Sequence, residues 1–373
     1  MTRRELLAGA SLASSAADAS PNAPAAKPFV AFHYQASFDQ RALKWYTRFE
    51  HLVTGAILGP ATSTSLRRNG TRLIAYEWSS GFYAGDAVSA PLDWQERVIG
   101  KRADWLLTPK PVTGAAAENG RVAEWYDFAN PEFRKVRAQF LAGRLVEAGY
   151  DGYFFDTVGI EQIPEPARKA FAERHPTADY NVCQGEFFRE LRKAMPAGKI
   201  IFLNQGFRHA DALLPYADFD LSESYFTYIA GPRTVLRPWH DKAKPWEAIK
   251  TPLEQLILPA ARKYPNVRFV HVNYAAAGAP LTSNAALYGY VGGKLFGHDA
   301  YLIVPGSPAE EVSGVYSTGL GRPKGELVER MDLVVREFEH AVIGFRIEAG
   351  AKQFRGVSIP ASLGGFIAWK PRA

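Results

Sequence analysis

The sequence predicts an α/β protein: a (β/α)8 barrel of the TIM type with a small antiparallel β appendage at its C-terminal end. Three observations predict it. From about residue 29 onward, short apolar runs alternate with longer segments of helical periodicity. Eight such runs occur before the rhythm changes. Several of them stop on an acidic or amide residue, as strands do when their C-terminal ends ring the mouth of a barrel. The 373 residues suffice for that barrel and an appendage.

Residues 1–28 precede the first run and read as a signal peptide and linker. Arg3-Arg4-Glu5-Leu6-Leu7 opens this segment, and Ala17-Asp18-Ala19 offers a small-x-small cleavage pattern. The paired arginines resemble a twin-arginine signal, which implies a periplasmic or extracellular protein; a disordered extension is the alternative. Phe29 to Tyr34 forms the first strand, residues 41–52 a helix, 53–58 the second strand and 73–78 the third. Residues 79–122 are poorly periodic and rich in Gly, Pro and Trp. Their aromatics, Phe82, Tyr83, Trp94 and Trp105, either cover the barrel mouth or build a small core of their own. A short strand at 122–128 leads to Asn130-Pro131, a helix start with proline at the first helical position. That helix runs to about Ala148, and Gly149 closes it. Tyr153 to Asp156 is the fourth strand. A helix at 184–194 precedes the fifth strand, 200–204, and 219–223 is the sixth. Helices at 252–263 and 286–295 flank the seventh strand, 268–274, and the eighth is 300–304. Runs at 341–347, 354–359 and 365–369 then read as antiparallel strands. The organisation is a barrel over 29–335 with strands of 336–373 packed on it.

Composition narrows the function. The net charge is +6, but the 44 basic and 38 acidic residues are scattered, with no basic tract interleaved with aromatics. That argues against nucleic acid. The lone Cys183 permits neither an internal disulfide nor a cysteine metal site. His33, His209, His240 and His298 lack the helical spacing of a zinc pair, and His271 reads as interior, so no metal or other cofactor is expected. No run is apolar enough for a membrane span.

The chemistry rests on two strand-end acids. Gly149-Tyr150-Asp151-Gly152-Tyr153-Phe154-Phe155-Asp156-Thr157 is a helix stop followed by a buried strand ending in a carboxylate. Glu223 ends the sixth strand 67 positions later, so the two side chains approach across the rim. Paired carboxylates at a barrel mouth are what glycoside hydrolysis needs, one protonated to release the leaving oxygen and one ionised. Either acid alone would read as a local cap or a rim salt bridge. Tyr34, Glu77, Asp127, Asn204 and Asn273 also finish strands and, with Tyr274, are candidates to hold sugar hydroxyls or orient the acids. Glu77 rivals them as a third strand-end carboxylate. Trp78 and Tyr225 are candidates to stack on a sugar ring.

Asp127-Phe128-Ala129-Asn130-Pro131, Gly149 to Thr157, Asn204-Gln205-Gly206 and Ser222-Glu223-Ser224-Tyr225-Phe226 together resemble the TIM-barrel glycoside hydrolases related to endo-α-1,4-polygalactosaminidases (glycoside hydrolase family 114-like). Leu320-Gly321-Arg322-Pro323-Lys324-Gly325 and Arg336-Glu337-Phe338-Glu339 resemble segments that follow the barrel in related proteins. The resemblance implies cleavage of a galactosamine-rich exopolysaccharide, with Asp156 as nucleophile and Glu223 as acid/base. A barrel that binds a glycan without cutting it is the alternative, and a lyase a third reading.

Overall fold

Eight short parallel strands form one sheet: β1 Val30–His33, β2 His51–Thr54, β3 Arg72–Trp78, β4 Gly152–Asp156, β5 Ile200–Asn204, β6 Phe219–Glu223, β7 Arg268–Tyr274 and β8 Asp299–Ile303. They come from a computed structural model that describes residues 27–34, 38–85, 91–107, 123–236, 250–278, 280–304, 312–330, 333–346, 352–354, 356–359 and 364–370. The expected signal segment and most of its linker lie outside the described residues, as does His240. Each strand pairs in parallel with the next in chain order. The seam between β8 and β1 is bridged by side chains, with the Phe32 and Tyr301 rings 5.8 Å apart. The fold is therefore the expected (β/α)8 barrel, and all eight strands fall where the apolar runs placed them, to within a few residues.

Aromatic residues fill the barrel. Phe154 lies 5.7 Å from Phe32 and 5.0 Å from Phe202, which in turn meets Phe219 at 5.6 Å, mostly edge to face. The period-2 alternation of a strand sends Phe154 and Asp156 inward, and Tyr153 and Phe155 toward the helices. A packed floor thus lies directly beneath the inward-facing strand ends.

Local chemistry sets the helices. In α3, Pro131–Ala148 (after α1, Gln40–Tyr46, and α2, Pro60–Arg68), the Asn130 Oδ1 accepts the Glu132 and Phe133 N–H groups at 3.0 and 3.1 Å. Gly149 ends it in the left-handed conformation at φ 63°. A helix not expected from the sequence, α4, Glu165–Arg174, follows β4. Helix α5, Tyr180–Ala194, starts at Asp179, whose carboxylate accepts the Asn181 and Val182 N–H groups. The first helix stops at Tyr46, shorter than expected, because His51 and Leu52 already belong to β2.

The segment after β3 makes its own core. A two-stranded pair, Gly81–Tyr83 with Ala123–Trp125, carries Phe82 into the interior. Trp94 and Trp105 are buried and pack on Phe140 and Phe133 of α3 at 4.9 and 5.7 Å. These aromatics face a helix on the outside of the barrel. Residues 108–122 lie outside the described residues.

At the C-terminal end, β9 Val328–Glu329, β10 Leu333–Glu337, β11 Ala341–Arg346 and β12 Gly364–Trp369 form an antiparallel sheet. Residues 354–359, expected as one strand, belong instead to a hairpin of Lys352–Phe354 and Val357–Ile359 turning at Gly356, where φ is 79°. The sheet packs on the helix Asn284–Leu295. A Cβ on Gly365 would fall 2.2 Å from the Tyr288 nitrogen, so only glycine allows that approach. Among the described residues, no helix is long and apolar enough to cross a membrane.

Candidate active site

The inward-facing ends of β4, β5 and β6 carry Asp156, Asn204 and Glu223. Strand β5 lies between the other two, with Leu203 level with Phe155 and Asn204 level with Leu221. Asn204 therefore reaches both neighbours. Its Nδ2 donates to Asp156 Oδ1 at 2.8 Å and to Glu223 Oε2 at 2.7 Å. The two carboxylate oxygens thus lie at most 5.5 Å apart, the sum of those two bonds. The opposite amide orientation would aim a carbonyl at two carboxylates, so the donors fix the assignment.

Each acid has further partners. The Tyr76 hydroxyl donates to Asp156 Oδ2 at 2.7 Å, and the Thr157 N–H donates to Oδ1 at 2.7 Å. Three donors around Asp156 suit a carboxylate. The Tyr274 hydroxyl donates to Glu223 Oε1 at 2.5 Å. Burial raises the Glu223 pKa, and the charge of Asp156 raises it further, against the bonds from Tyr274 and Asn204. The two carboxyls are thus held differently, one among donors and the other pushed toward its protonated form.

Both acids open into one cavity of about 310 Å³, lined by Tyr34, Gly55, Tyr76, Phe154, Asp156, Glu223 and Tyr274. Tyr34 is 41% exposed and meets Tyr76 edge-on at 5.7 Å, so it offers an aromatic wall. No basic side chain appears among these residues.

The backbone beneath is unusual at three neighbouring positions. Thr157, Gln205 and Ser224 directly follow Asp156, Asn204 and Glu223, and all three have positive φ: 54°, 63° and 52°. Non-glycine residues rarely adopt that conformation, and each instance costs about 1–3 kcal/mol. Such strain concentrates where surroundings must hold side chains in fixed directions. Behind Asn204, Asp220 points outward, and its carboxylate receives the Gly206 and Phe207 N–H groups at 2.8 Å each, anchoring the turn after β5.

Five expected site residues lie elsewhere. Glu77 points out of the barrel and pairs with Arg137 of α3, because Tyr76 takes the inward position on that strand. Trp78 is buried, with its ring stacked on Tyr83 at 4.5 Å. Asp127 is buried against His175 Nε2 at 2.8 Å and accepts the Ala129 N–H, which ties the start of α3 to the end of α4. Tyr225 packs on Phe226 at 5.0 Å. Asn273 uses its carbonyl on the Phe226 and Thr227 N–H groups and its amide on the Gly289 carbonyl, clamping the chain after Glu223. Asp156, Glu223, Tyr34, Asn204 and Tyr274 do come together. Sequence reasoning missed Tyr76, Thr157, Phe154 and Gly55. Strand parity would have found Tyr76 once the register of β3 on β4, Trp78 opposite Asp156, was known.

Asn204→Ala removes the donor shared by both acids. If the paired acids cleave a glycan, it is expected to lower kcat about 10²-fold, the scale for losing one preorganised donor. It should also move the alkaline limb of the pH–rate profile upward, since the Asn204 bond holds the Glu223 pKa down. An unchanged limb would show that the amide does not couple to Glu223.

No family model and no curated protein matches the chain. Solved structures do match. The glycoside hydrolase domain of PelA from Pseudomonas aeruginosa is similar at 20% identity, over 74% of this chain and 94% of its own, with a TM-score of 0.51. A noncanonic maltogenic α-amylase, AmyB from Thermotoga neapolitana, is similar at 8% identity, over 92% of this chain and 98% of its own, with a TM-score of 0.50. At these identities the likeness establishes the barrel fold, and the proteins that share it here are glycoside hydrolases.

Proposed function

We propose that this chain is a retaining glycoside hydrolase that cleaves an exopolysaccharide, with galactosamine-rich polymers as the first substrates to test. One observation carries the reading: Asp156 and Glu223 face one cavity, with one oxygen of each bound to the same Asn204 nitrogen and so no more than 5.5 Å from the other. Retaining enzymes hold their two carboxyls about 5–5.5 Å apart, and inverting enzymes about 6.5–9.5 Å to admit a water. Glu223, the acid pushed toward protonation, gives its proton to the glycosidic oxygen as the Asp156 carboxylate attacks the anomeric carbon. Water then enters, Glu223 takes its proton, and the bond to Asp156 breaks. The described lining carries no basic side chain, which favours neutral or amino sugars over uronic acids.

The family resemblance supports the galactosamine-rich substrate class and a catalytic barrel with an appended sheet; strands β9 and β10 of that sheet begin before the boundary expected at 335. The Arg3-Arg4 segment supports export to the periplasm or beyond.

The deciding experiment incubates the protein with galactosamine-containing and neutral exopolysaccharides, following new reducing ends and the first-formed anomer by NMR. Reducing ends with retained configuration are expected. Inverted anomers would overturn the nucleophile role, and unsaturated ends would indicate a lyase. Binding without cleavage of any glycan would favour the non-catalytic barrel.

The pH dependence follows from Glu223. A general acid works while protonated, so kcat/KM is expected to hold below its raised pKa and fall as pH rises through it. With an aryl glycoside whose leaving group needs no proton, Glu223→Gln should erase that alkaline limb from the glycosylation step. Persistence of the limb in that variant would assign it to another group.

A further inference from the structure

We propose that Gln184, on α5 outside the barrel, is a positioning residue for Asp156, acting through Ser80 and Thr157; the kinetic arm of its test rests on the hydrolase reading. The Gln184 side chain is wholly buried, as is Ser80, and Ser79 nearly so. Its Nε2 donates to Ser79 Oγ at 3.0 Å and to Ser80 Oγ at 3.2 Å, and its carbonyl accepts the Gly159 N–H at 2.9 Å. The Ser80 hydroxyl donates to the Thr157 carbonyl, and the Ser79 N–H donates to the Asp156 carbonyl at 2.8 Å. One turn nearer the start of the same helix, Asn181 accepts the Ile160 N–H at 2.9 Å. Helix α5 thus grips both sides of the loop that begins at Asp156.

What the grip holds is Thr157. It is β-branched, yet sits at φ 54°, a conformation that persists only where its surroundings impose it. In that conformation its N–H lies 2.7 Å from Asp156 Oδ1. Relaxing the turn would withdraw that donor and free the carboxylate to rotate away from the anomeric carbon. Gln184 is not among the described residues that line the cavity, so its influence on the reaction runs through this turn.

The test uses Gln184→Met and Ser80→Ala in the full chain. On a glycan that the wild type cleaves, each variant is expected to lower kcat roughly 10–100-fold, the scale of a misplaced reacting group, with KM nearly unchanged. The double variant should fall no further than the weaker single, since both act along one path. Wild-type kcat in both singles, or losses that multiply, would overturn the proposal. A second arm needs no turnover. The Thr157 amide proton, in a short bond to a carboxylate, should resonate far downfield and move upfield in either variant. An unmoved resonance overturns the proposal as well. Should the wild type cleave no glycan, the hydrolase reading falls and the amide resonance alone decides the role of Gln184. Should Gln184→Met fail to fold, Ser80→Ala, which deletes one hydroxyl, carries both arms.

Discussion

Asp156→Asn is expected to lower glycan hydrolysis roughly 10³–10⁴-fold with the barrel still folded. The substitution is isosteric and leaves Phe154, Asn204 and Glu223 in place, but it removes the charge that forms the covalent bond in the proposed mechanism. Glu223→Gln should behave differently, although its loss on natural glycans is also large, about 10²–10⁴-fold. With an activated aryl glycoside the first step needs no proton, so this variant should still form the glycosyl-enzyme and then stall. Added azide, a nucleophile that needs no general base, should release it and restore turnover. Asp156→Asn forms no covalent intermediate, so any azide product it gives comes from direct displacement and carries inverted configuration. A glycosyl azide of retained configuration from Asp156→Asn, with none from Glu223→Gln, would exchange the two roles. Full activity in either variant would remove that residue from the chemistry.

This site was legible in part because its main signals are local. A strand that ends on an acid can be read from one apolar run, and both Asp156 and Glu223 were singled out that way. The helix starts at Asn130-Pro131 and the stop at Gly149 are equally local, since each depends on side-chain caps or a left-handed residue within a few positions. Register is not local. Whether Tyr76 or Glu77 faces the cavity depends on how β3 slides against β4, and one step exchanges the two faces. The same ambiguity made Asn273 a candidate when Tyr274 is the residue that faces inward. Trp78 and Tyr225 became candidates because an aromatic beside a strand end looks the same whether it meets a sugar or another ring. Helix α4 escaped notice since it buries only Ala167 and Phe171, too thin a stripe to show periodicity. The Gln184 network had no signature at all: its parts come from three separate segments and meet only in the fold.

Glu77 illustrates what that register decides, and it carries the largest expected effect on stability. Arg137→Met is expected to cost about 3–5 kcal/mol of unfolding free energy, the range for breaking a buried ion pair from one side. Both partners are nearly inaccessible, Arg137 at 2% and Glu77 at 3% exposure. The guanidinium also lies 4.5 Å from the Trp94 ring, so α3, β3 and the segment after β3 meet at this one charge. Burial pushes the Glu77 pKa up, and Arg137 is the main influence drawing it down. Without Arg137 the carboxyl must take a proton to remain inside. The sign follows: a carboxyl whose pKa is higher folded than unfolded loses stability as pH rises from the ordinary carboxylate range through the folded value. The Arg137→Met defect should therefore be smallest near pH 4–5 and grow toward pH 8, measured by urea denaturation at each pH. Pairing it with Glu77→Leu should recover most of the loss, because a well-packed apolar pair avoids desolvating either charge. A defect below about 1 kcal/mol that ignores pH would mean that the pair behaves like an exposed one and that solvent reaches Glu77.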